Sequence, residues 1–293
     1  MIYTIENELL KVSVTTSGAQ ICSVLRKSDG VEHMHDADKA VWGYHAPILF
    51  PYTGKLVEGK MEAKGKTYEG GQHGFARLME HTFVRQNESE IVMELVDSPE
   101  TLAQWPYRFR LTTTVILDGD CVTQRLTVEN RDEDELRFGI GYHPAFKLPF
   151  DGEHTAADYE FRFDVPQSPM CLGTQPKGLL NGAWYGLGKN TDTVPLDETT
   201  FANDSHCMFN LTAKTLGIYE KGTGRGVVCD IAAFPYTLIW SKPVWPVPFV
   251  CIEPWMSLPA AETDPLNWEQ RAAAAVLKPG QVWSCELPTH FVR

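Results

Sequence analysis

Two short runs in this 293-residue chain set a proton-handling side chain directly before a proline: Tyr142-His143-Pro144 and Ile252-Glu253-Pro254. Through Arg137 to Pro144, alternation puts Phe138, Ile140 and Tyr142 on one face and Gly139, Gly141 and His143 on the other. Two glycines beside an imidazole leave a hollow that suits close approach of a ligand. Pro144 holds His143 extended and ends the strand. In Pro248 to Trp255, apolar residues flank Glu253 on both sides. A carboxylate in such a run is costly unless paired or functional. Partial burial raises its pKa toward neutrality and makes it a usable base, while a buried salt bridge is the structural alternative. Trp255 and Trp240 offer faces for ring stacking, although for each tryptophan singly core packing is the commoner use. A third run, Gly70-Gly71-Gln72-His73-Gly74-Phe75-Ala76-Arg77, reads as a loop carrying His73 and Arg77 around a glycine.

The elements that must position these groups are strands. Phe109, Leu111, Thr113, Val115 and Leu117 alternate with Arg108, Arg110, Thr112 and Thr114, and the run from Val122 to Val128 repeats the pattern. Period two with one apolar face means a half-buried strand. Asp118-Gly119 between them marks a tight hairpin, Asp29-Gly30 a second, and Asn87 to Glu90 a third. Helical signal is confined to a turn or two at Pro99 to Gln104 and an ambiguous stretch from Trp268 to Leu277. Gly173 to Leu196 is polar and poorly periodic and reads as long loops within the domain. Many short strands with frequent turns point to an all-β chain, one large antiparallel β-sandwich or barrel spanning residues 1–293 as a single domain.

Composition narrows the partners. Lys and Arg number 26 against 38 Asp and Glu, a formal charge of −12, which disfavours nucleic acid and anionic membrane. No apolar run reaches the roughly 20 residues of a membrane span, and the N-terminus lacks a secretory pattern. Seven scattered cysteines with no C-x-x-C pair indicate reduced core thiols and a cytoplasmic location, with neither disulfide frame nor zinc site. Gly222 to Gly226 looks like a phosphate loop, yet it opens no helix and is expected to be a hairpin turn. His33 and His35 are expected at the surface, not as metal ligands. Ser205-His206-Cys207 lacks the setting of a nucleophile, and Asp132 to Glu135 is expected to be a solvated turn.

His-Gly-Phe-Ala-Arg at 73–77, Gly-Tyr-His-Pro-Ala-Phe at 141–146 and Ile-Glu-Pro-Trp at 252–255 stand in the order seen in aldose 1-epimerases. The set resembles that family of galactose mutarotase-like proteins, and its LacX-like branch most of all. Phe201-Ala202-Asn203-Asp204 and Pro47-Ile48-Leu49-Phe50-Pro51 also look like that branch. The resemblance implies a many-stranded antiparallel supersandwich with a small-molecule sugar bound in an open cleft. It implies Glu253 as the base that takes the anomeric hydroxyl proton and His143 as the acid that protonates the ring oxygen. The two side chains, from distant strands, would meet across one sugar ring. It further implies sugar contacts from His73, Arg77 and Asp204, and neither cofactor nor metal. Relatives carry Gly-Arg where this chain has Gly54-Lys55, so a planar fork becomes a single ammonium. Lys55 then either binds a hydroxyl, suits the site to another sugar, or lies free at the surface. The alternatives to anomer exchange on a free aldose are a hexose-6-phosphate 1-epimerase and a non-catalytic sugar-binding or sugar-sensing protein.

Overall fold

The computed structural model describes residues 1–293. Two large antiparallel sheets dominate. The nine-stranded sheet runs Thr191–Pro195, Tyr159–Gln167, Thr215–Glu220, Gly226–Asp230, Val282–Val292, Cys121–Asn130, Phe109–Asp118, Glu90–Val96 and Thr82–Gln86. The eight-stranded sheet runs Trp184–Gly186, Met170–Leu172, His206–Phe209, Tyr236–Trp240, Phe249–Trp255, Gly141–Tyr142 and Ile48–Leu49, with Ala145–Lys147 also paired to Phe249–Trp255. A four-stranded N-terminal sheet, Ile2–Glu6 to Val31–Glu32, adds to one side.

The hairpins fall where turn chemistry asks for them. Asp118 pairs with Cys121, so the tight turn is Gly119-Asp120, with Gly119 at φ 57°. Lys221 to Arg225 joins Thr215–Glu220 to Gly226–Asp230 as a hairpin turn and not a phosphate loop. Pro99–Leu102 forms a capped helical turn, while the Trp268 to Leu277 stretch splits into a single tight turn, Trp268–Gln270, and the strand Ala275–Leu277. The region 173–196, expected as loops, carries two short strands.

Alternation on Phe249–Trp255 gives the eight-stranded sheet two distinct faces. Val250 and Ile252 point into a contiguous core of 61 buried residues that reaches from Ile5 to Phe291. Phe249, Cys251 and Trp255 belong instead to small apolar clusters on the other face. Tyr142 marks the inner face from the neighbouring strand. Its hydroxyl sits 2.9 Å from the Gln124 carbonyl and 3.0 Å from that of Cys285, both on the nine-stranded sheet. By the same alternation, residues 143 and 253 face outward, away from that core.

Three expectations need correction. His33 and His35 are buried, not superficial: His33 is edged by Phe150 and Phe291, and the His35 ring bonds the Trp42 carbonyl. Aromatic rings from other elements cover them, Phe150 and Phe291 over His33 and Phe249 over His35. Asp132 is not a solvated turn residue either, since Lys64 and the Arg108 amide hold it. The hollow beside His143 is filled: a Cβ on Gly141 would lie 2.6 Å from the Trp255 ring, and one on Gly139 would strike Ser257. These glycines admit protein side chains, not ligand. No helix is long and apolar enough to cross a membrane.

Burial keeps several histidines neutral, which has a consequence for stability. It holds His33 down at about 3 and His81 at about 4, and His73 well below the ordinary 6.5. The unfolded chain takes up these protons near pH 6.5, whereas the fold refuses them until far lower. Stability is therefore present above about pH 6.5 and lost as pH falls, by up to about 1.4 kcal/mol per pH unit for each histidine. The urea midpoint is expected to be lower at about pH 5 than at about pH 7.5; equal midpoints contradict the neutral burial of these rings.

Candidate active site

Register brings the two principal groups together. Gly141 lies opposite Trp255 and Ala145 opposite Cys251, so His143, midway, falls opposite Glu253 on the same outward face. Directly opposed residues of antiparallel strands have Cβ atoms about 4.5–5.5 Å apart, within contact range. His143 Nε2 and Glu253 Oε2 are 3.2 Å apart, and both side chains are buried, 7% and 2% exposed. The expectation of a meeting across a ring from distant strands is thus corrected: the groups sit side by side on adjacent strands. Each precedes a proline, which supplies no N–H to the ladder.

Burial sets the charge of the pair. It pushes the Glu253 carboxyl well above its ordinary range, and the Asp204 charge adds to that. It pulls His143 down to about 3, helped by the Arg77 charge. Both shifts favour the neutral forms, a protonated carboxyl beside a neutral imidazole. The Cys251 sulfur lies on the same face, and donor atoms of His143, Cys251 and Glu253 fall within 4.8 Å of one another. A soft cation would fit there only in place of the carboxyl proton.

The remaining predicted residues surround the pair in one open cleft of about 420 Å³, within the usual range for small-ligand sites. His73 adopts φ 66° in the loop, with its amide bonded to the Gly54 carbonyl (2.7 Å). The Gly54 amide donates to His73 Nδ1 at 2.9 Å. That bond places the proton of the neutral ring on Nε2, so the carboxamide oxygen of Gln72 belongs at the 3.2 Å contact there. The His73 ring stands edge-on to His143 (5.6 Å) and to Trp255 (5.5 Å).

Arg77 is anchored by donating to the Gln72 carbonyl (2.8 Å) and by lying over the Tyr44 ring (4.8 Å). Asp204, at φ 73°, accepts from the Trp240 indole (2.6 Å) and from Gln175 (2.8 Å). Lys55 is exposed and donates to the Lys177 carbonyl (3.0 Å) at the cleft mouth. Trp255 is buried and lines the cleft while also packing on Leu49, Cys207 and Leu238. All seven predicted residues therefore line the same cavity.

Sequence reasoning missed Trp42, Gln72, Gln175 and Lys242, which also line it. They come from loops, where no periodicity points a side chain anywhere. Trp42 is the largest omission: it stacks on His143 at 4.9 Å.

The aldose 1-epimerase family model matches residues 1–287. The plasmid and chromosomal forms of protein LacX from Lactococcus lactis subsp. lactis are each 29% identical over 266 residues, 88% of this chain and 88% of theirs. The solved structure of a galactose mutarotase related enzyme from Lactobacillus acidophilus superposes with a TM-score of 0.94 at 28% identity, covering 100% of this chain and 98% of that one. A galactose mutarotase-like protein from Lactobacillus casei gives 0.89 at 27% identity, covering 99% of both. With an all-β antiparallel fold, its motifs gathered in one cleft and a family match over nearly its whole length, this chain belongs to the aldose 1-epimerase family.

Proposed function

We propose that the protein exchanges the anomers of an aldose by opening and reclosing the sugar ring. The observation that carries this reading is the side-by-side contact of His143 and Glu253 in the cleft. The anomeric hydroxyl oxygen and the ring oxygen are bonded to the same carbon. A base for one and an acid for the other must therefore stand next to each other, facing one edge of the sugar.

Glu253, in its ionised form, takes the proton of the anomeric hydroxyl. His143, protonated, gives one to the ring oxygen as the carbon–oxygen bond breaks. An open-chain aldehyde results. Rotation about the bond between the aldehyde carbon and its neighbour exposes the other face of the carbonyl. Ring closure reverses both transfers: the ring oxygen gives its proton back to His143, and Glu253 returns one to the new hydroxyl. No net proton or electron is exchanged with solvent. His73 Nε2–H, which already donates to the Gln72 carboxamide, reaches the sugar's ring oxygen by sharing or giving up that bond, while Arg77 and Asp204 hold hydroxyls. Each Asp204 oxygen retains acceptor capacity beyond Trp240 and Gln175.

A second reading has its own observation. Lys55, Arg77 and Lys242 line the cleft against Asp204 and the His143–Glu253 pair, in a chain whose formal charge is −12. A local excess of cations favours a sugar that carries an anionic group such as phosphate.

The proposed activity is measured as anomer exchange, by polarimetry or saturation-exchange NMR, over a panel of freshly dissolved α-aldoses. Acceleration over buffer for at least one sugar is expected, and none across the panel defeats the reading. Glu253→Gln and His143→Asn each lose about 100-fold or more in kcat, the usual worth of a general acid or base. Retained activity in either overturns its role.

The pH profile follows from the shared proton. At low pH the pair takes a second proton and loses its base; at high pH it loses its last proton and has no acid. With His143 held near 3, the acid limb lies well below the ordinary histidine value of 6.5. The value of kcat/KM is expected not to rise between about pH 5.5 and about pH 7.5, and a clear rise with a midpoint near 6.5 contradicts it.

If the substrate is phosphorylated, Lys242→Ala raises KM for the sugar phosphate about tenfold and leaves the free sugar unaffected. Equal KM for both sugars in the unmodified protein removes the second reading.

A further inference from the structure

We propose that Trp42 is a positioning residue for His143, its indole face holding the imidazole against Glu253 and favouring the ring's protonated form. The inference rests on the reading of His143 as the acid. Trp42 and His143 have ring centroids 4.9 Å apart and planes inclined by 28°, a stacked arrangement. The indole stacks equally on Phe249 (5.4 Å, 26°) and meets Trp240 edge-on (5.5 Å, 62°). The imidazole is thus bounded by the Trp42 face, by Trp240 at 5.6 Å and by His73 at 5.6 Å, with Glu253 at its Nε2.

Trp42 itself is held by a loop built for the purpose. His35 Nε2 donates to the Trp42 carbonyl (3.0 Å), and the Trp42 amide donates to the Asp38 carbonyl (2.7 Å). His45 Nδ1 donates to the His35 carbonyl at 2.6 Å, closing the segment at its far end. Buried His35 is therefore the post from which the 36–45 loop presents its tryptophan.

The physical need for such a residue comes from the surroundings of His143. Burial and the Arg77 charge both oppose an imidazolium there, and the neutral His73 ring does nothing to offset them. Cys251 is a protonated thiol, so among the side chains facing the ring only an ionised Glu253 favours the cation, beside a backbone hydrogen bond that favours it too. An aromatic face attracts a cation through its quadrupole, and does so more strongly when water is excluded. Within the pair, a proton moves from the Glu253 carboxyl to His143 Nε2 to give the ionised form that catalysis uses. The indole face lowers the cost of that internal transfer without changing the proton count.

Trp42→Leu and Trp42→Phe test this. Leu keeps apolar bulk and removes the quadrupole; Phe keeps a face. In Trp42→Leu, kcat is expected to fall about tenfold with KM within about twofold, and both limbs of the pH profile to move to lower pH. In Trp42→Phe most of the rate returns. In parallel, 15N NMR of the His143 ring in sugar-free protein is expected to show a smaller imidazolium fraction in Trp42→Leu than in the unmodified or Trp42→Phe protein. An unchanged kcat and ring spectrum in Trp42→Leu overturns the proposal. So does an equal loss in both variants, which would make the contact one of shape alone, and so does a rise in KM alone, which would make Trp42 a surface for the sugar. The ring spectrum decides the role of Trp42 even if no sugar is turned over, so its failure is distinct from failure of the anomer-exchange reading.

Discussion

A carboxyl and an imidazole, buried together and in contact, set the terms for the rest of this protein. Neither group could be buried charged by itself without a large desolvation cost. Burial favours the neutral form of each, the carboxyl protonated and the imidazole not. That arrangement needs the two side chains on one face of one sheet at opposed positions, because contact within hydrogen-bonding distance tolerates no slip of register. A shift of one residue would turn Glu253 into the core and bring Pro254 or Ile252 outward.

The architecture meets that demand by separating the two faces of the eight-stranded sheet. The inner face, through Val250, Ile252 and Tyr142, is fixed on the nine-stranded sheet, which locks register by burial. The outer face is then free to carry polar chemistry. It is roofed by irregular segments, each tied to the sheet at a few points. The 70–77 loop is hydrogen-bonded to Gly54 and Phe50, the 36–45 loop hangs from His35, and Gln175 and Trp240 converge on Asp204. Glycines at 139 and 141 serve this roof by letting Ser257 and Trp255 pack against the strand.

Much of the fold and the heart of the site could be read from the residues. The alternation in Phe109 to Leu117 and the Asp118-Gly119 turn call for a hairpin by themselves, because period and turn chemistry are local properties. His143 and Glu253 stood out because each breaks an apolar pattern just before a proline. Their relation as cross-strand neighbours was not legible, since register between strands more than a hundred residues apart depends on how both are buried. The glycines illustrate the same limit: a missing side chain tells that something approaches, not whether it is ligand or tryptophan. His33 and His35 misled because an imidazole carries little burial preference of its own, and the tertiary packing around Phe150 and Phe291 decided. Trp42 had no signal at all, lying in a loop of mixed composition whose path is set by hydrogen bonds to His35 and within the loop.

The claim on which all of this turns is the single shared proton, and it can be read directly. Protein labelled with 13C at glutamate carboxyls and 15N at histidine rings, with Glu253 and His143 assigned through their variants, reports both groups across the pH range of stability. The account predicts that the carboxyl and the ring change together, as one coupled titration, with the pair holding one proton at neutral pH. A Glu253 carboxyl that ionises independently near the ordinary glutamate value while His143 stays neutral would contradict it.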